Sequence, residues 1–361
     1  MRVFQNIFAY QSYLTHLSSR LPDQSGFQVW RDALVGDRYC AVHYLEPEIA
    51  GNVFLTCNAS EAMQRAWARE HGLSNSVHLN DIVLAQIEQH GSEVFYTQDP
   101  AHYGPEFLRR LPGCVRQRVC WQSPPANPGD LATYDLVVNN FPTSLAEYAK
   151  QGVRTAYFTP SYDPEMTRYA ENTERPIDVV FVGGYSRHHR NRAAVLEAVA
   201  GLHGRLHVVF ALDRSRLTRL AESPLGWLLP LAHHRRPGAI RAVTVNPVFG
   251  RDMYALFGQA KIVLNGAVDS AGQDRGNMRC FESMGCGALM LTDLGNYPEG
   301  MVDGETMVTY RNSQDAIQTA ENFLTNSERR SQIARQGREM LRDQYSKAAH
   351  WRRFVALIEA L

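Results

Sequence analysis

The chain has 361 residues, of which 44% are hydrophobic and 20% are charged, so it has the length of about two globular domains and is too apolar to be disordered. Its 37 Lys and Arg residues balance 37 Asp and Glu residues, which argues against a nucleic-acid-binding protein that acts by neutralising many phosphates. Residues 1–17 lack the pattern of a secretion signal and no apolar run approaches about 18 residues, so we expect a cytoplasmic protein whose six cysteines are reduced.

In the first half of the chain, short β-rich runs alternate with helical patterns. Ser60–Glu70 begins with a serine that can cap a helix and carries an apolar helical stripe, and Asn80–His90 begins with an Asn-Asp cap. Strands separated by helices of this length predict crossover connections and a parallel sheet. The predicted strands are Val3–Phe8, Tyr39–His43, Val53–Cys57, Val94–Tyr96, Val115–Trp121, Leu136–Asn139 and Thr155–Phe158.

The composition changes at residues 159–176, which contain three prolines and no sustained apolar period, and this predicts a linker over 161–176. After the linker, helices are predicted at 189–200 and from Ser313 to the end of the chain. The predicted strands of this half are Val179–Val182, Leu206–Leu212, Arg241–Val245, Lys261–Leu264, Ala288–Leu291 and Met307–Thr309. The two halves predict an α/β protein with two Rossmann-like domains, 1–160 and 177–345, whose parallel sheets face a cleft; ligands of such sheets bind at the carboxyl ends of the strands.

The most informative segment is 263–293, VLNGAVDSAGQDRGNMRCFESMGCGALMLTD. Its first strand ends at Asn265-Gly266, and a loop that contains Gly276 leads into a short helix that Asn277 is placed to cap. The helix leads directly into the next strand, ALML.

Three charged residues of this segment could bind a nucleotide sugar. Asp274 lies on the loop, Glu282 lies eight positions later in the helix, and Arg279 lies in the first helical turn. A carboxylate can accept hydrogen bonds from both ribose hydroxyls, while a helix N-terminus and an arginine can receive the diphosphate. By spacing alone, a surface loop with a solvated acid and an arginine paired to it is an equally good interpretation.

The sequence FESMGCGALMLTD, with Arg279 before it, resembles the C-terminal signature of the GT-B glycosyltransferases, in particular the CgeB-like group related to glycosyltransferase group 1. The retaining branch of that family places two glutamates with seven residues between them. Asp274 and Glu282 have this spacing, but the first acid is an aspartate, which is shorter. The resemblance implies that Glu282 binds the ribose and that the first acid approaches the donor sugar.

The resemblance extends in weaker form over nearly the whole chain. It implies a GT-B fold in which domain 1–160 binds the acceptor and domain 177–345 binds the nucleotide sugar. It also implies that a last helix, within 346–361, crosses back to the first domain. The segments that look like the N-terminal domain and linker of that group are SEAMQRAWAREHGL (60–73), the WQSPP run (121–125) and residues 134–165.

A second candidate site is FVGGYSRHHRNR, residues 181–192, where a strand runs into Gly183-Gly184 and a helix with several cations around its first turn follows. Cations at a helix N-terminus oppose the helix dipole, and a bound anion would offset this. The glycines would let phosphate approach the backbone, so Gly183, Gly184 and Arg190 are candidate diphosphate ligands. A solvated basic helix start is the alternative.

Further candidates lie in other loops. Resemblance to GT-B proteins places Val248 and Phe249 beside the nucleobase, although core packing would explain both residues equally well. Asp99 and His102 follow a predicted strand and could reach the cleft as the general base of an inverting enzyme, whereas a retaining enzyme needs no such base. Both residues also suit an ordinary loop, and His16 is a weaker candidate for the same role.

Segment 225–236, LGWLLPLAHHRR, could lie on an anionic membrane surface or dock a lipid-linked acceptor. Its Pro230 and short length also suit an ordinary helix or loop packed on the domain. The sequence has no acid-x-acid motif at a strand end, no P-loop, no nucleophile elbow and no His-Glu-x-x-His motif. We therefore expect neither a metal nor a cofactor other than the sugar donor.

Together these features predict metal-independent transfer of a hexose-like residue from a nucleotide diphosphate sugar to a hydroxyl of a glycan, a lipid-linked sugar or another acceptor. Arg279 would neutralise the leaving diphosphate. One alternative is a nucleotide-sugar 2-epimerase of the same fold, which would need several carboxylates and histidines around the sugar, a set that the sequence does not reveal. The other is a non-catalytic sugar- or nucleotide-binding protein, which the aspartate at position 274 leaves open.

Overall fold

The structure, a computed structural model, describes residues 1–45, 52–122, 128–228, 230–267 and 272–361, apart from the side chains of residues 128, 225 and 228. Residues 123–125 of the WQSPP run, 268–271 of the 263–293 segment and Leu229 of segment 225–236 lie outside the described residues. The chain forms two compact units: unit 1 is Met1–Ser161 with Lys347–Leu361, and unit 2 is Tyr162–Ser346. Within the described part, every helix is too short or too polar to cross a membrane.

Unit 1 contains a six-stranded parallel sheet, as predicted from the alternation of strands and helices. Its strands are β1 (Val3–Asn6), β2 (Val53–Thr56), β3 (Val94–Thr97), β4 (Gln117–Trp121), β5 (Leu136–Asn139) and β6 (Thr155–Tyr157). They are ordered β2-β1-β3-β4-β5-β6. Its helices are α1 (Gln11–Ser18), α2 (Phe27–Asp37), α3 (Glu61–Glu70), α4 (Leu79–His90), α5 (Pro105–Leu108), α6 (Pro128–Leu131), α7 (Pro142–Lys150) and, at the end of the chain, α16 (Lys347–Glu359).

Both faces of this sheet are buried. On one face Phe4 and Phe95 stack on each other within a core that α4 and α7 complete. On the other face Val3 and Tyr96 pack in a core that includes Phe354 of α16. Because consecutive strand residues point to opposite faces, uninterrupted apolar runs are the expected pattern for such strands. The last helix is therefore part of the core of unit 1.

The predicted strand Tyr39–His43 is wrong, because the chain forms a 3₁₀ turn at Ala41–His43. Arg38 and Cys40 have φ angles of 67° and 55°, and this left-handed conformation interrupts a strand. The apolar residues of the run are buried, so core packing without strand pairing explains the pattern.

Unit 2 contains a second six-stranded parallel sheet. Its strands are β7 (Ile177–Gly184), β8 (Val208–Asp213), β9 (Thr244–Val245), β10 (Ala260–Leu264), β11 (Leu289–Asp293) and β12 (Val308–Tyr310). They are ordered β12-β11-β10-β7-β8-β9. Its helices are α8 (Met166–Ala170), α9 (Arg190–Ala200), α10 (Arg216–Ala221), α11 (Gly238–Val243), α12 (Gly250–Gly258), α13 (Met278–Gly285), α14 (Ser313–Thr325) and α15 (Ser327–Gln344).

Two segments of unit 2 differ from the sequence predictions. The predicted strand Arg241–Val245 is helix α11 followed by the two-residue β9; Ile240 and Val243 are both buried and lie three positions apart, which is a helical spacing. The predicted linker 161–176 contains α8 and packs as part of unit 2. Its Met166 is fully buried, and a Cβ at Gly285 would lie 2.2 Å from the Met166 sulfur. This close packing explains why α8 forms in a segment that has no sustained apolar period.

Candidate functional site

Each sheet has one point at which its strand order reverses. In unit 2 the chain moves from β7 to β8 in one direction across the sheet and from β10 to β11 in the other. Right-handed crossovers therefore place α9 and α13 on opposite faces, which leaves a crevice at the carboxyl ends of β7 and β10. Gly183-Gly184 ends β7, and Asn265-Gly266 follows β10. Open α/β sheets bind their ligands at such a crevice.

The loop before α13 brings the N-terminus of that helix to the crevice. Gly276 has a φ angle of 119°, which favours glycine at this position. Asn277 occupies the predicted N-cap position, but its side chain accepts no capping hydrogen bond from the described residues. Its Nδ2 instead donates to Oδ1 of Asn265 at 3.2 Å. The Asn277 side chain therefore connects the start of α13 to the end of β10.

Arg279 and Glu282 form an ion pair on α13, with the Nη1 of Arg279 donating to the Oε2 of Glu282. The Nε of Arg279 also donates to the carbonyl of Val182, at 3.4 Å, next to Gly183. The Glu282 side chain is 1% exposed and that of Arg279 is 28% exposed. The predicted residues Gly183, Arg279 and Glu282 thus come together at the crevice of unit 2, and the guanidinium is the group that faces solvent.

Buried polar groups around Asn265 fix this arrangement. The Nδ2 of Asn265 also donates to Thr292 Oγ1 at 3.1 Å, and the Tyr310 hydroxyl donates to the Asn265 carbonyl at 2.8 Å. Burial raises the pKa of the neighbouring Cys280 thiol to about 12, so this thiol is neutral and unreactive. Asn265 was predicted to end the strand, but its contacts with Thr292, Tyr310 and Cys280 were not predicted.

Asp274 is 1% exposed and lies on a loop that is fixed to the chain after β11. It forms an isolated parallel bridge with Asn296, and Arg275, which follows it, binds Asp293 at 2.7 Å. Gly295 allows the close approach, because a Cβ there would lie 2.6 Å from the Arg275 side chain. The Arg275–Asp293 pair was not predicted, since the two residues are eighteen positions apart and only the fold joins them.

A cavity of about 460 Å³ opens at the carboxyl ends of β10, β11 and β12. Arg192 of α9, Arg275, Asp293 and Ser313 of α14 contribute to its lining. Arg279 and Glu282 are absent from this lining as far as the described residues go, but Gly266 after β10 and Arg275 in the loop around Asp274 belong to it, so the cavity adjoins the crevice.

The other predicted residues of unit 2 lie on neighbouring loops of the same sheet edge. Gly184 is the exposed last residue of β7, and Arg190 is the first residue of α9 and is also exposed. Val248 and Phe249 are partly buried after β9, and Phe249 is the N-cap residue of α12. The structure thus places these four residues at the carboxyl edge of the sheet.

In unit 1 the strand order reverses between β1 and β3, and Asp99 lies at this point. Its Oδ2 accepts a hydrogen bond from Asn58 Nδ2 at 3.2 Å, and its backbone N–H donates to Thr97 Oγ1 at 3.0 Å. Asn6, at the end of β1, donates from Nδ2 to the same Thr97 oxygen at 3.1 Å. The side chains that end these strands therefore form one polar cluster around a partly exposed carboxylate.

His102 is exposed, and its Nε2 lies 2.9 Å from Oδ1 of Asn80 at the start of α4. Its backbone N–H donates to Asp99 Oδ1 at 3.3 Å, so Asp99 and His102 belong to the same loop structure. His16 lies in the last turn of α1. Among the residues that the structure describes, no three His, Cys, Asp or Glu side chains are grouped to hold a metal ion.

Comparison with known proteins gives a match to one family model and several solved structures with a similar fold. A model of glycosyl transferase-like proteins matches residues 191–356, a span that includes Arg279 and Glu282. A search of curated protein sequences gives no match.

Solved structures with low sequence identity share the fold over the full chain. HepE of Anabaena, solved in complex with UDP, is 13% identical with a TM-score of 0.59, and 100% of each chain is covered. AviGT4, a glycosyltransferase involved in avilamycin A biosynthesis, is 14% identical with a TM-score of 0.56, covering 99% of this chain and 96% of its own. Sucrose-phosphate synthase of Thermosynechococcus elongatus is 13% identical with a TM-score of 0.54, and 99% of each chain is covered.

Proposed function

We propose that the protein moves a sugar from a nucleotide diphosphate sugar to an acceptor hydroxyl, because residues 191–356 match a model of glycosyl transferase-like proteins and the chain forms two six-stranded parallel sheets. The observation that carries this proposal is the Arg279–Glu282 pair at the crevice of unit 2, beside the glycines that end β7. A cation, the N-terminus of a helix and a carboxylate are groups that bind a nucleoside diphosphate and its ribose, and Arg279, the start of α13 and Glu282 are our candidates for these roles.

In the proposed reaction, Arg279 and the N-terminus of α13 stabilise the charge that develops on the departing diphosphate. Fixed positive groups in a partly buried site stabilise developing charge more strongly than water does. Gly183, Gly184 and Arg190 contact the phosphates, Glu282 binds the ribose, and Val248 and Phe249 flank the base. The loop carrying Asp274, Gly276 and Asn277 approaches the donor sugar.

A panel of nucleotide sugars tests the reaction class, with UDP-glucose first because HepE has been solved with UDP-glucose. Release of free nucleoside diphosphate that depends on an acceptor supports transfer. Conversion of the sugar without an acceptor would identify an epimerase. Thermal stabilisation by a nucleotide sugar without turnover would identify a binding protein, and neither of the last two outcomes is compatible with the proposal.

We expect turnover to be independent of divalent metal, because Arg279 and the helix N-terminus take the place of the cation at the diphosphate. The measurement is the rate of nucleoside diphosphate release in excess EDTA and, separately, with added magnesium or manganese. Equal rates agree with the proposed roles. Loss of turnover in EDTA that magnesium restores would contradict them.

We propose that unit 1 binds the acceptor and that Asp99 deprotonates its hydroxyl, with His102 beside it in the same loop. Asp99→Asn should then lower acceptor-dependent turnover by about 100-fold or more, while donor affinity changes by less than about twofold. Asp130→Asn, at an exposed position of the same unit, is the matched control. Unchanged turnover of Asp99→Asn would remove Asp99 from the mechanism and favour a retaining reaction, which needs no such base.

A further inference from the structure

Three large apolar side chains are exposed within eleven residues of unit 2. Leu217 and Leu220 of α10 are 49% and 40% exposed, and Trp227, in the 3₁₀ turn Leu225–Leu228, is 54% exposed. Leu217 and Leu220 are three positions apart and so share one face of α10. Exposed apolar side chains that cluster in this way mark an interaction surface.

The same segment is strongly basic. Residues 214–241 contain six arginines, no lysine or aspartate, and one glutamate, Glu222. Glu222 is neutralised by Arg236, which donates to both of its carboxylate oxygens at 2.7 Å, and both side chains are at least nine-tenths buried. Burial opposes ionisation of Glu222, but the hydrogen bonds and the charge of Arg236 outweigh this and lower its pKa. The other five arginines give the surface its net positive charge.

Arg235 holds Trp227 in its exposed position. The guanidinium of Arg235 lies 4.2 Å from the centre of the indole ring, and its Nε donates to the carbonyl of Ala221 at 2.8 Å. The guanidinium of Arg241 lies 5.4 Å from the same ring. A tryptophan between two arginines presents an apolar body and positive charge together, which is the composition favoured at the interface of an anionic membrane.

We propose that Leu217, Leu220 and Trp227, with the surrounding arginines, form a docking surface for an anionic membrane. The apolar side chains enter the boundary between head groups and acyl chains, and the arginines bind the negatively charged head groups. Charge complementarity favours a lipid surface as the occupant, because a partner for a purely apolar patch would not require five arginines in the same segment.

The docking surface is connected to the crevice of unit 2. Arg187, from the loop after β7, donates to the carbonyls of His233 and Arg235, the second at 2.7 Å. Docking would therefore hold the loop that follows Gly183-Gly184 near the bilayer. If the proposed function holds, this arrangement favours an acceptor that is itself anchored in the membrane.

The test is cosedimentation of the full chain with vesicles of phosphatidylcholine alone or mixed with phosphatidylglycerol. We expect binding to the mixed vesicles that weakens as salt rises, and little binding to phosphatidylcholine. The variant Trp227→Ala and the double variant Leu217→Ser/Leu220→Ser should each bind the mixed vesicles roughly tenfold more weakly, because each removes apolar area that enters the bilayer. Val302→Ser, at a side chain of unit 2 that is 43% exposed, is the matched control and should bind as the wild type does.

Failure to bind mixed vesicles would overturn the proposal. Vesicle binding that Trp227→Ala and the double variant leave unchanged would also overturn it. So would binding to an oligonucleotide that is as strong as binding to the mixed vesicles, because a site for a soluble polyanion needs no exposed apolar side chains. Vesicle binding and the proposed function are tested separately. Without vesicles, the same variants should bind the nucleotide sugar with the affinity of the wild type, as measured by calorimetry.

Discussion

Replacing Arg279 with glutamine is expected to lower kcat by about 100-fold, the size of effect seen when one charge-stabilising donor is removed from an active site. Arg279 is held by Glu282 and by the Val182 carbonyl at the end of β7, so its guanidinium is already oriented before the donor binds. Glutamine keeps the length and a donor group but removes the charge. The measurement is the rate of nucleoside diphosphate release at saturating donor and acceptor.

Two comparisons separate a catalytic role of Arg279 from a structural one. Arg342→Gln removes an arginine on α15 whose side chain is 57% exposed and should leave kcat unchanged. The free energy of unfolding of Arg279→Gln should fall by about 3 kcal/mol, because glutamine removes the hydrogen bond to the Val182 carbonyl and leaves the buried Glu282 carboxylate without its charged partner, but the variant should remain folded under assay conditions. A loss of stability that accounts for the whole loss of turnover would mark Arg279 as structural.

The local part of this site was predictable because its spacing is helical. Arg279 and Glu282 are three positions apart on α13, and residues with that spacing meet on one helical face. One interpretation of the sequence was a surface loop with a solvated acid and an arginine paired to it. The arginine is paired to the acid, but the acid is buried and not solvated. Burial depends on tertiary packing, because α13 contacts α15 and also α8, which lies in the predicted linker.

The tertiary part was not predictable from pattern. Asn265 meets Asn277 across twelve positions and Thr292 across twenty-seven, and no local period encodes such contacts. The same limit applies in unit 1, where Asp99 was predicted from its place after a strand but its partner Asn58 was not. The predicted strand Tyr39–His43 and the first three residues of Arg241–Val245 are wrong. Both runs are short and apolar, and burial does not distinguish a strand from a turn or a helix in such runs.

Glu282→Ala is expected to weaken donor binding about tenfold or more, because it removes hydrogen bonds from the ribose hydroxyls to a charged acceptor. Glu282→Gln keeps the volume and one acceptor oxygen and should give a smaller loss. Calorimetric titration with nucleotide sugar measures both. Glu147→Ala, which removes an exposed glutamate that pairs with Lys150 at the same three-residue spacing, is the matched control. Unchanged affinity of Glu282→Ala would contradict a ribose-binding role.

The ion pair admits a second explanation for a loss of affinity, since Glu282 could act only by positioning Arg279. A double-mutant cycle distinguishes the two roles. If Glu282 binds the ribose while Arg279 binds the diphosphate, the double variant Arg279→Gln/Glu282→Ala should bind the donor more weakly than either single variant. If Glu282 only positions Arg279, removing Glu282 has no further effect once Arg279 is gone. Glu282 is buried and only the guanidinium of Arg279 is partly exposed. Glu282 can therefore contact the ribose only if the ion pair opens when the donor binds, and a weaker affinity of the double variant would also support this opening.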